Sequence, residues 1–177
     1  GKSTLFNRMT GAEVMVKDML FATLDPTMRG VILPSGRKVI LSDTVGFISD
    51  LPTQLVAAFR ATLEEVLGAD VILHVRDISA ELTDEQARDV EAILVELGVD
   101  HDLPRVEVWN KTDLLDAEAR AAREPEAARN PDVVATSALS GAGVDGLAAV
   151  IEAHLARDAT RETLRLGFER GRDRAWL

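Results

Sequence analysis

The hydrophobic positions of the chain alternate between two kinds of spacing, and this alternation predicts an α/β fold. Apolar residues spaced three and four apart lie on one face of a helix, and this pattern predicts helices over 55–67, 84–97 and 144–156. Short apolar runs are typical of strands buried on both faces of a parallel sheet, and they occur at 71–75, 106–109 and 133–136. Strands that alternate with helices in this way predict right-handed βαβ units.

Turn residues predict two further elements near the start of the chain. A short helix over 4–10 is expected to end at Gly11, a residue type that favours the end of a helix. A Pro-Ser-Gly turn joins two short strands, 31–33 and 38–42, as a hairpin. The predicted fold is therefore a three-layer α/β domain, with a mostly parallel sheet and one antiparallel hairpin at its edge.

Three local features set the remaining expectations about secondary structure. Thr83 is predicted to be the N-cap of the helix over 84–97. A polar, alanine-rich helix over 115–128 is expected to be broken by Pro125, because proline lacks the N–H that a helix interior needs. Residues 15–28 show no clean period and are interpreted as a loop.

Composition narrows the class of protein. The 177 residues are 46% hydrophobic and 28% charged, which excludes a disordered chain, and the absence of cysteine excludes disulfides and thiolate metal sites. No apolar run approaches the roughly 18 residues of a membrane span, and no signal peptide is visible. A cytoplasmic monomer is expected. The net charge of −10 argues against a general attraction to nucleic acid.

The charge is unevenly distributed, and this suggests a boundary near the end of the chain. From Arg157 onward there are six arginines against four acids, whereas the preceding part carries a net charge of −12. We expect one domain over 1–157, followed over 158–177 by a linker and the start of a second domain.

The first candidate motif is Gly1-Lys2-Ser3-Thr4, which has the form of the end of a phosphate-binding loop, G-x-x-x-x-G-K-[ST]. In such a loop, backbone N–H groups at a helix N-terminus surround the phosphates, the lysine reaches the outer phosphates and the hydroxyl binds Mg²⁺. The sequence begins inside this motif, so the first glycine of the loop and a central strand are expected upstream. An ordinary helix start explains these few residues about equally well.

Two more motifs follow predicted strands. Asp43-Thr44-Val45-Gly46 comes after the strand over 38–42, where the aspartate can reach Mg²⁺ and the glycine lets its N–H approach a phosphate closely. A simple turn is the alternative. Asn110-Lys111-Thr112-Asp113 follows the strand over 106–109, where a carboxylate can accept hydrogen bonds from N1–H and the exocyclic amine of guanine. Helix capping is the alternative for Asp113.

A fourth segment, Ser137-Ala138-Leu139, follows the strand over 133–136 and offers a backbone N–H to the oxygen at position 6 of guanine. Each motif is weak alone, but their order and their common position at strand ends predict a guanine-nucleotide-binding GTPase domain of the P-loop class. Two alternatives stay open. One is a P-loop nucleoside or metabolite kinase, and the other is a non-catalytic module that binds GTP as an assembly signal.

The segments between these motifs resemble the HflX family of ribosome-associated GTPases. The resemblance rests on residues 20–27 (LFATLDPT), 43–48 (DTVGFI), 51–52 (LP), 55–60 (LVAAFR) and 62–65 (TLEE). It implies GTP and GDP as ligands, Mg²⁺ as cofactor and the large ribosomal subunit as partner, reached mainly through regions outside this sequence. The family splits or rescues stalled ribosomes, which is therefore the implied cellular role.

The resemblance also assigns roles to individual residues. It implies Ser3, Thr23 and Asp43 as metal ligands, with Thr27 as a second hydroxyl candidate. It implies Lys2, Thr23 and Gly46 as catalytic groups. The nucleotide-binding set comprises Gly1, Lys2, Ser3, Thr4, Phe21, Ala22, Thr23, Leu24, Asp25, Asp43, Thr44, Val45, Gly46, Asn110, Lys111, Thr112, Asp113, Ser137, Ala138 and Leu139.

Phe47 sets an expectation about the rate of hydrolysis. Many small GTPases carry a glutamine at this position, directly after D-x-x-G, which orients the attacking water. A phenylalanine can neither donate nor accept a hydrogen bond. The sequence therefore predicts slow intrinsic hydrolysis that a partner accelerates.

Overall fold

The computed structural model describes residues 1–11, 27–44 and 66–157. The strands are β1 (Thr27–Ile32), β2 (Lys38–Asp43), β3 (Ile72–Asp77), β4 (Arg105–Asn110) and β5 (Val133–Ala135). The helices are α1 (Lys2–Thr10), α2 (Thr83–Glu96), α3 (Ala117–Arg129) and α4 (Val144–Arg157), with a 3-10 turn over Thr112–Leu114.

The described strands form two sheets, which confirms the predicted mixture of parallel and antiparallel pairing. β1 and β2 make an antiparallel hairpin in which Gly30 pairs with Ile40. β3, β4 and β5 are parallel in that order, with β4 at the centre. Parallel neighbours require crossover connections, and α2 and α3 supply them.

The hydrophobic core lies between the parallel sheet and the helices α1 and α4. Val106 and Val108 on β4 are fully buried and pack with Leu5 of α1 and with Leu147 and Ile151 of α4. Alternate residues of β4 point to the opposite face, as the period of two in a strand requires. One face of the sheet is therefore the apolar centre of the domain.

The opposite face of the sheet carries a polar layer under α2 and α3. Glu107 of β4 accepts hydrogen bonds from the indole N–H of Trp109 (2.8 Å) and from the guanidinium of Arg76 (2.8 Å), which also pairs with Asp84 of α2. Arg123 of α3 lies over the Trp109 ring, 5.6 Å from its centre. Helices on both faces complete the predicted three layers.

Several boundaries differ from the sequence prediction. Thr83 is the first residue of α2 rather than its N-cap, and its buried hydroxyl has no hydrogen-bond partner among the described residues. Helix α3 runs through Pro125 without a break, since it is a surface helix with no buried residue. Strand β1 begins at Thr27, inside the segment interpreted as a loop. The predicted helix over 55–67 lies largely outside the described residues.

The two sheets face each other across a gap. Within the described ranges β2 and β3 share no hydrogen-bonded register, and two cavities of about 180 and 660 Å³ are each lined by residues of both strands. Leu41 and Leu73 line both cavities. The hairpin is instead attached to the rest of the domain through helices, since Arg37 in its turn donates to the carbonyl of Leu155 in α4 (2.7 Å).

Candidate nucleotide-binding site

The first two predicted motifs meet at the N-terminus of α1. The ammonium group of Lys2 forms an ion pair with the carboxylate of Asp43 and donates to the carbonyl oxygen of Thr44. Asp43, the last residue of β2, is only 1% exposed. Lys2 and Asp43 are 41 positions apart in the sequence, so this contact is a result of the tertiary fold. It brings a cation, a carboxylate and the backbone N–H groups of a helix N-terminus together.

Asn110 connects the N-terminus of α1 to the loop that follows β5. Its amide nitrogen donates to the carbonyl of Gly1 (3.4 Å), and its amide oxygen accepts from the backbone N–H of Ala138 (2.8 Å) and from the hydroxyl of Thr136 (3.4 Å). Asn110 is 1% exposed. A buried amide that spans three segments fixes their mutual position, because each unmade bond would carry a desolvation cost.

Asp113 and Ser137 form the second link between motifs. The Ser137 hydroxyl donates to the Asp113 carboxylate (2.5 Å) and accepts from the N–H of Ser140 (3.1 Å). Ser137 is buried, whereas Asp113 is exposed in the turn after β4. The carboxylate is thus held in one orientation with a face open to solvent. Thr112 stays close to the same loop because its N–H donates to the carbonyl of Thr136 (3.1 Å).

Lys111 is held by Asp77, a residue that the sequence analysis does not single out. Their side chains form an ion pair of 2.5 Å, and Lys111 has a left-handed backbone conformation (φ 68°). Partial burial acts to raise the pKa of Asp77, but hydrogen bonds from Lys111 and Ser79 outweigh it and leave the pKa below its ordinary value. The sequence could have indicated Asp77 as a site residue, because it ends β3 at the same sheet edge as the predicted motifs.

Other predicted residues lie elsewhere or outside the described ranges. Ser3 and Thr4 belong to the first turn of α1, and Thr27 begins β1. The segment 21–25, with Thr23, lies outside the described residues, as do Val45, Gly46 and Phe47. Within residues 1–11, 27–44 and 66–157 no three His, Cys, Asp or Glu side chains cluster as metal ligands. In the same ranges no helix has the length and apolar character to cross a membrane.

The described site therefore combines a helix N-terminus that carries lysine and serine, an aspartate at a strand end, and two polar segments after neighbouring parallel strands. Ligands of parallel sheets bind at this carboxyl edge. Fold and site together define a P-loop nucleotide-binding domain.

Comparisons with known proteins specify the class. The sequence model of the family described as "50S ribosome-binding GTPase" matches residues 1–111. GTPase HflX of Magnetococcus marinus is 48% identical over 177 residues, which are 100% of this chain and 39% of that protein. GTPase HflX of Escherichia coli is 43% identical over 176 residues, 99% of this chain and 41% of that protein.

Solved structures share the fold. SsGBP in complex with GDP aligns with a TM-score of 0.69 and 28% identity, over 89% of this chain and 47% of that one. Era in complex with MgGDPNP and nucleotides 1506–1542 of 16S ribosomal RNA aligns with a TM-score of 0.66 and 25% identity, over 96% and 56%. The chain belongs to the 50S ribosome-binding GTPases and, among them, to the HflX family. It spans about two fifths of the length of these HflX relatives.

Proposed function

We propose that this chain binds GTP with Mg²⁺ and hydrolyses it to GDP and phosphate, and that it acts as a cytoplasmic, monomeric switch on the large ribosomal subunit, in splitting or rescuing ribosomes. One observation carries the proposal. Asn110 bonds both to Gly1, at the start of the phosphate motif, and to Ala138, in the loop after β5. The phosphate and base motifs therefore lie at one sheet edge, which supports one nucleotide as the ligand of both.

Base recognition is assigned to Asp113, Asn110 and Lys111. The Asp113 carboxylate, oriented by Ser137, accepts hydrogen bonds from N1–H and the 2-amino group of guanine, and adenine lacks this pair of donors. The aliphatic stem of Lys111 covers one face of the purine, while Asp77 holds its ammonium group. When adenine is bound, the Asp113 carboxylate would lose its water without gaining these hydrogen bonds. This desolvation cost is the source of the preference for guanine over adenine.

Phosphate and metal binding are assigned to the N-terminus of α1. The backbone N–H groups at Gly1 to Thr4 and the Lys2 ammonium bind the phosphates. The hydroxyls of Ser3 and Thr23 and the carboxylate of Asp43 supply the oxygen ligands that Mg²⁺ prefers. The buried Asp43 carboxylate, beside Lys2 of the same helix turn as Ser3, fits this donor set. When bound, Mg²⁺ neutralises negative charge that develops on the phosphates.

The Lys2–Asp43 ion pair gives nucleotide binding a competitive step. In this proposal Lys2 reaches phosphate oxygens when its ammonium leaves the Asp43 carboxylate, and that carboxylate then faces the metal site. A cation that exchanges one set of anionic partners for another keeps most of its electrostatic stabilisation. In this scheme Lys2 and the Gly46 N–H would stabilise the transferred phosphoryl group, and the Thr23 hydroxyl would be a ligand of Mg²⁺.

Asp113→Asn tests the assignment of guanine recognition. Asparagine offers a donor where the 2-amino group of guanine needs an acceptor, so we expect GTP affinity to fall about a hundredfold or more and xanthosine triphosphate to become the preferred ligand. Competition against a fluorescent GTP analogue, with ATP as a third ligand, measures both. If the variant still prefers GTP, the assignment of Asp113 is wrong. If the unsubstituted protein binds ATP as well as GTP, a kinase is favoured instead.

A second candidate function, a GTP-sensing assembly module without hydrolysis, is favoured by Phe47 alone. Single-turnover hydrolysis of radiolabelled GTP, with and without purified large ribosomal subunits, separates the two. We expect a slow basal rate that the subunits accelerate. Binding of GTP with no phosphate release in either condition would establish the module instead, and acceleration by small subunits alone would refute the proposed partner.

A further inference from the structure

Arg8 lies outside every predicted motif, yet it reaches from α1 to the loop after β5. Its Nε donates to the carbonyl oxygen of Ala138 (3.2 Å), and a terminal nitrogen of its guanidinium donates to the carbonyl of Leu139. A Cβ at Gly141, on the far side of the same loop, would lie 3.4 Å from the guanidinium. The side chain thus contacts the loop at Ala138 and Leu139 and lies close to Gly141.

The backbone N–H groups of Ala138 and Leu139 differ in their hydrogen bonding. The N–H of Ala138 is already bonded to the oxygen of Asn110 at 2.8 Å. The N–H of Leu139 has no hydrogen-bond partner among the described residues, and Leu139 is 73% exposed. Leu139 therefore offers an open and exposed backbone donor in the loop.

The Arg8 contact acts on this same open peptide group. In a trans peptide the C=O and the N–H point in opposite directions, so a donor that holds the Ala138 carbonyl directs the Leu139 N–H away from α1. A charged donor also polarises the peptide and makes its N–H a stronger hydrogen-bond donor. Arg8 is positioned to do both.

We infer that Arg8 is a specificity-determining positioning residue, which aims the Leu139 N–H at the oxygen on position 6 of a bound guanine. The inference rests on the proposed function, since it concerns the same base. It divides recognition between two groups: Asp113 reads the 2-amino side of the base, and the peptide held by Arg8 reads the 6-oxo side.

Three nucleotides and one substitution test this division in the whole protein. GDP has both groups, inosine diphosphate lacks the 2-amino group, and 2-aminopurine riboside diphosphate lacks the 6-oxygen. Arg8→Gln keeps a good helix former on α1 but removes the charged fork. We expect it to weaken GDP and inosine diphosphate equally, by about fivefold, and to change 2-aminopurine binding by less than about twofold. Competition against fluorescent GDP, extended to millimolar ligand, measures all three.

The controls separate this inference from the proposed function. Arg88→Gln removes an arginine of α2 whose Nε bonds only within its own helix, and it should leave all three affinities unchanged. Equal weakening of all three nucleotides by Arg8→Gln would make Arg8 a purely structural residue and overturn the inference. Failure of the unsubstituted protein to bind GDP would instead overturn the proposed function. If Arg8→Gln unfolds, Arg8→Lys provides the same comparison, with a single donor in place of the fork.

Discussion

Asp77 illustrates how residues outside the recognised motifs control the site. Lys111 is a long, flexible side chain, and to hold it in one position costs conformational entropy. Asp77 offsets that cost with an ion pair, and Ser79 in turn fixes Asp77 through a hydroxyl hydrogen bond of 2.6 Å. Since the pKa of Asp77 is lowered, this pair is intact at neutral pH and weakens only as the pH falls through that lowered value.

Asp77→Asn should accelerate the release of nucleotide. The substitution removes the charge that holds Lys111, and a partly exposed ion pair of this kind is worth about threefold in rate. We expect faster dissociation of fluorescent GDP in stopped-flow chase experiments, with a smaller difference at high salt. Glu85→Gln, on the exposed face of α2, is the matched control. A dissociation rate unchanged by Asp77→Asn would mean that Lys111 needs no anchor.

At the residue scale, the sequence predicted which residues belong to the candidate site but not which side chains hold them in place. The motifs that contain Asn110, Asp113 and Ser137 were predicted to meet at one sheet edge, and hydrogen bonds connect them there; their role in binding guanine stays a prediction. The bonds of Arg8 and Asp77 were not predicted, because each joins segments far apart in sequence. Arg76 shows the same limit, since it pairs with Glu107, 31 positions away, and with Asp84 of α2.

At the scale of elements, one glycine determines how the loop over 136–143, here called the base loop, packs against the end of β5. Gly143 has a φ of +76°, and a Cβ there would lie 2.0 Å from the carbonyl oxygen of Ala135. The loop over 136–143 returns so closely to the strand that no side chain fits between them. Its closure also brings the N–H of Ser137 to the carbonyl of Ala142 (2.9 Å).

Gly143→Ala should therefore destabilise the base loop. We expect the free energy of unfolding to fall by about 1–3 kcal/mol from backbone strain alone, with a parallel loss of GDP affinity as Ser137 and Ala138 shift. Urea unfolding and nucleotide titration measure the two effects. Gly146→Ala is the control three residues away, because its Cβ meets no atom within 4 Å in α4 and alanine should stabilise that helix by about 0.5–1 kcal/mol. Equal stabilities of the two variants would contradict the role of Gly143.

In two helices the observed structure departs from the local sequence preferences for proline and for N-cap residues. Proline is unfavourable inside a helix, yet α3 continues through Pro125, because the exposed helix leaves the freed carbonyl group accessible to water. Helix α2 begins one residue earlier than the prediction, which moves Thr83 from the cap into a buried position. The end of α1 was correctly predicted, since Gly11 adopts the left-handed conformation that stops a helix.

At the scale of the molecule, the main feature of the described residues is that β2 and β3 belong to separate sheets, with two cavities between them. Both strands present edges to these cavities, which are lined by apolar side chains of the sheets and of α1. The hairpin is therefore positioned by its contacts with α1 and α4, namely the Lys2–Asp43 ion pair and the Arg37–Leu155 hydrogen bond.

The sequence by itself determined the α/β alternation, the approximate positions of the described helices and of the hairpin, and the identity of the polar residues at strand ends. These follow from local physics: the period of apolar residues, the conformational needs of turns and the chemistry that each ligand demands. Tertiary structure decided which of those residues meet. Lys2 with Asp43, Asn110 with Gly1 and Ala138, and Arg8 with the base loop are contacts between distant segments. Only packing on a common sheet edge brings them within hydrogen-bond distance, since no local pattern encodes a partner more than twenty residues away.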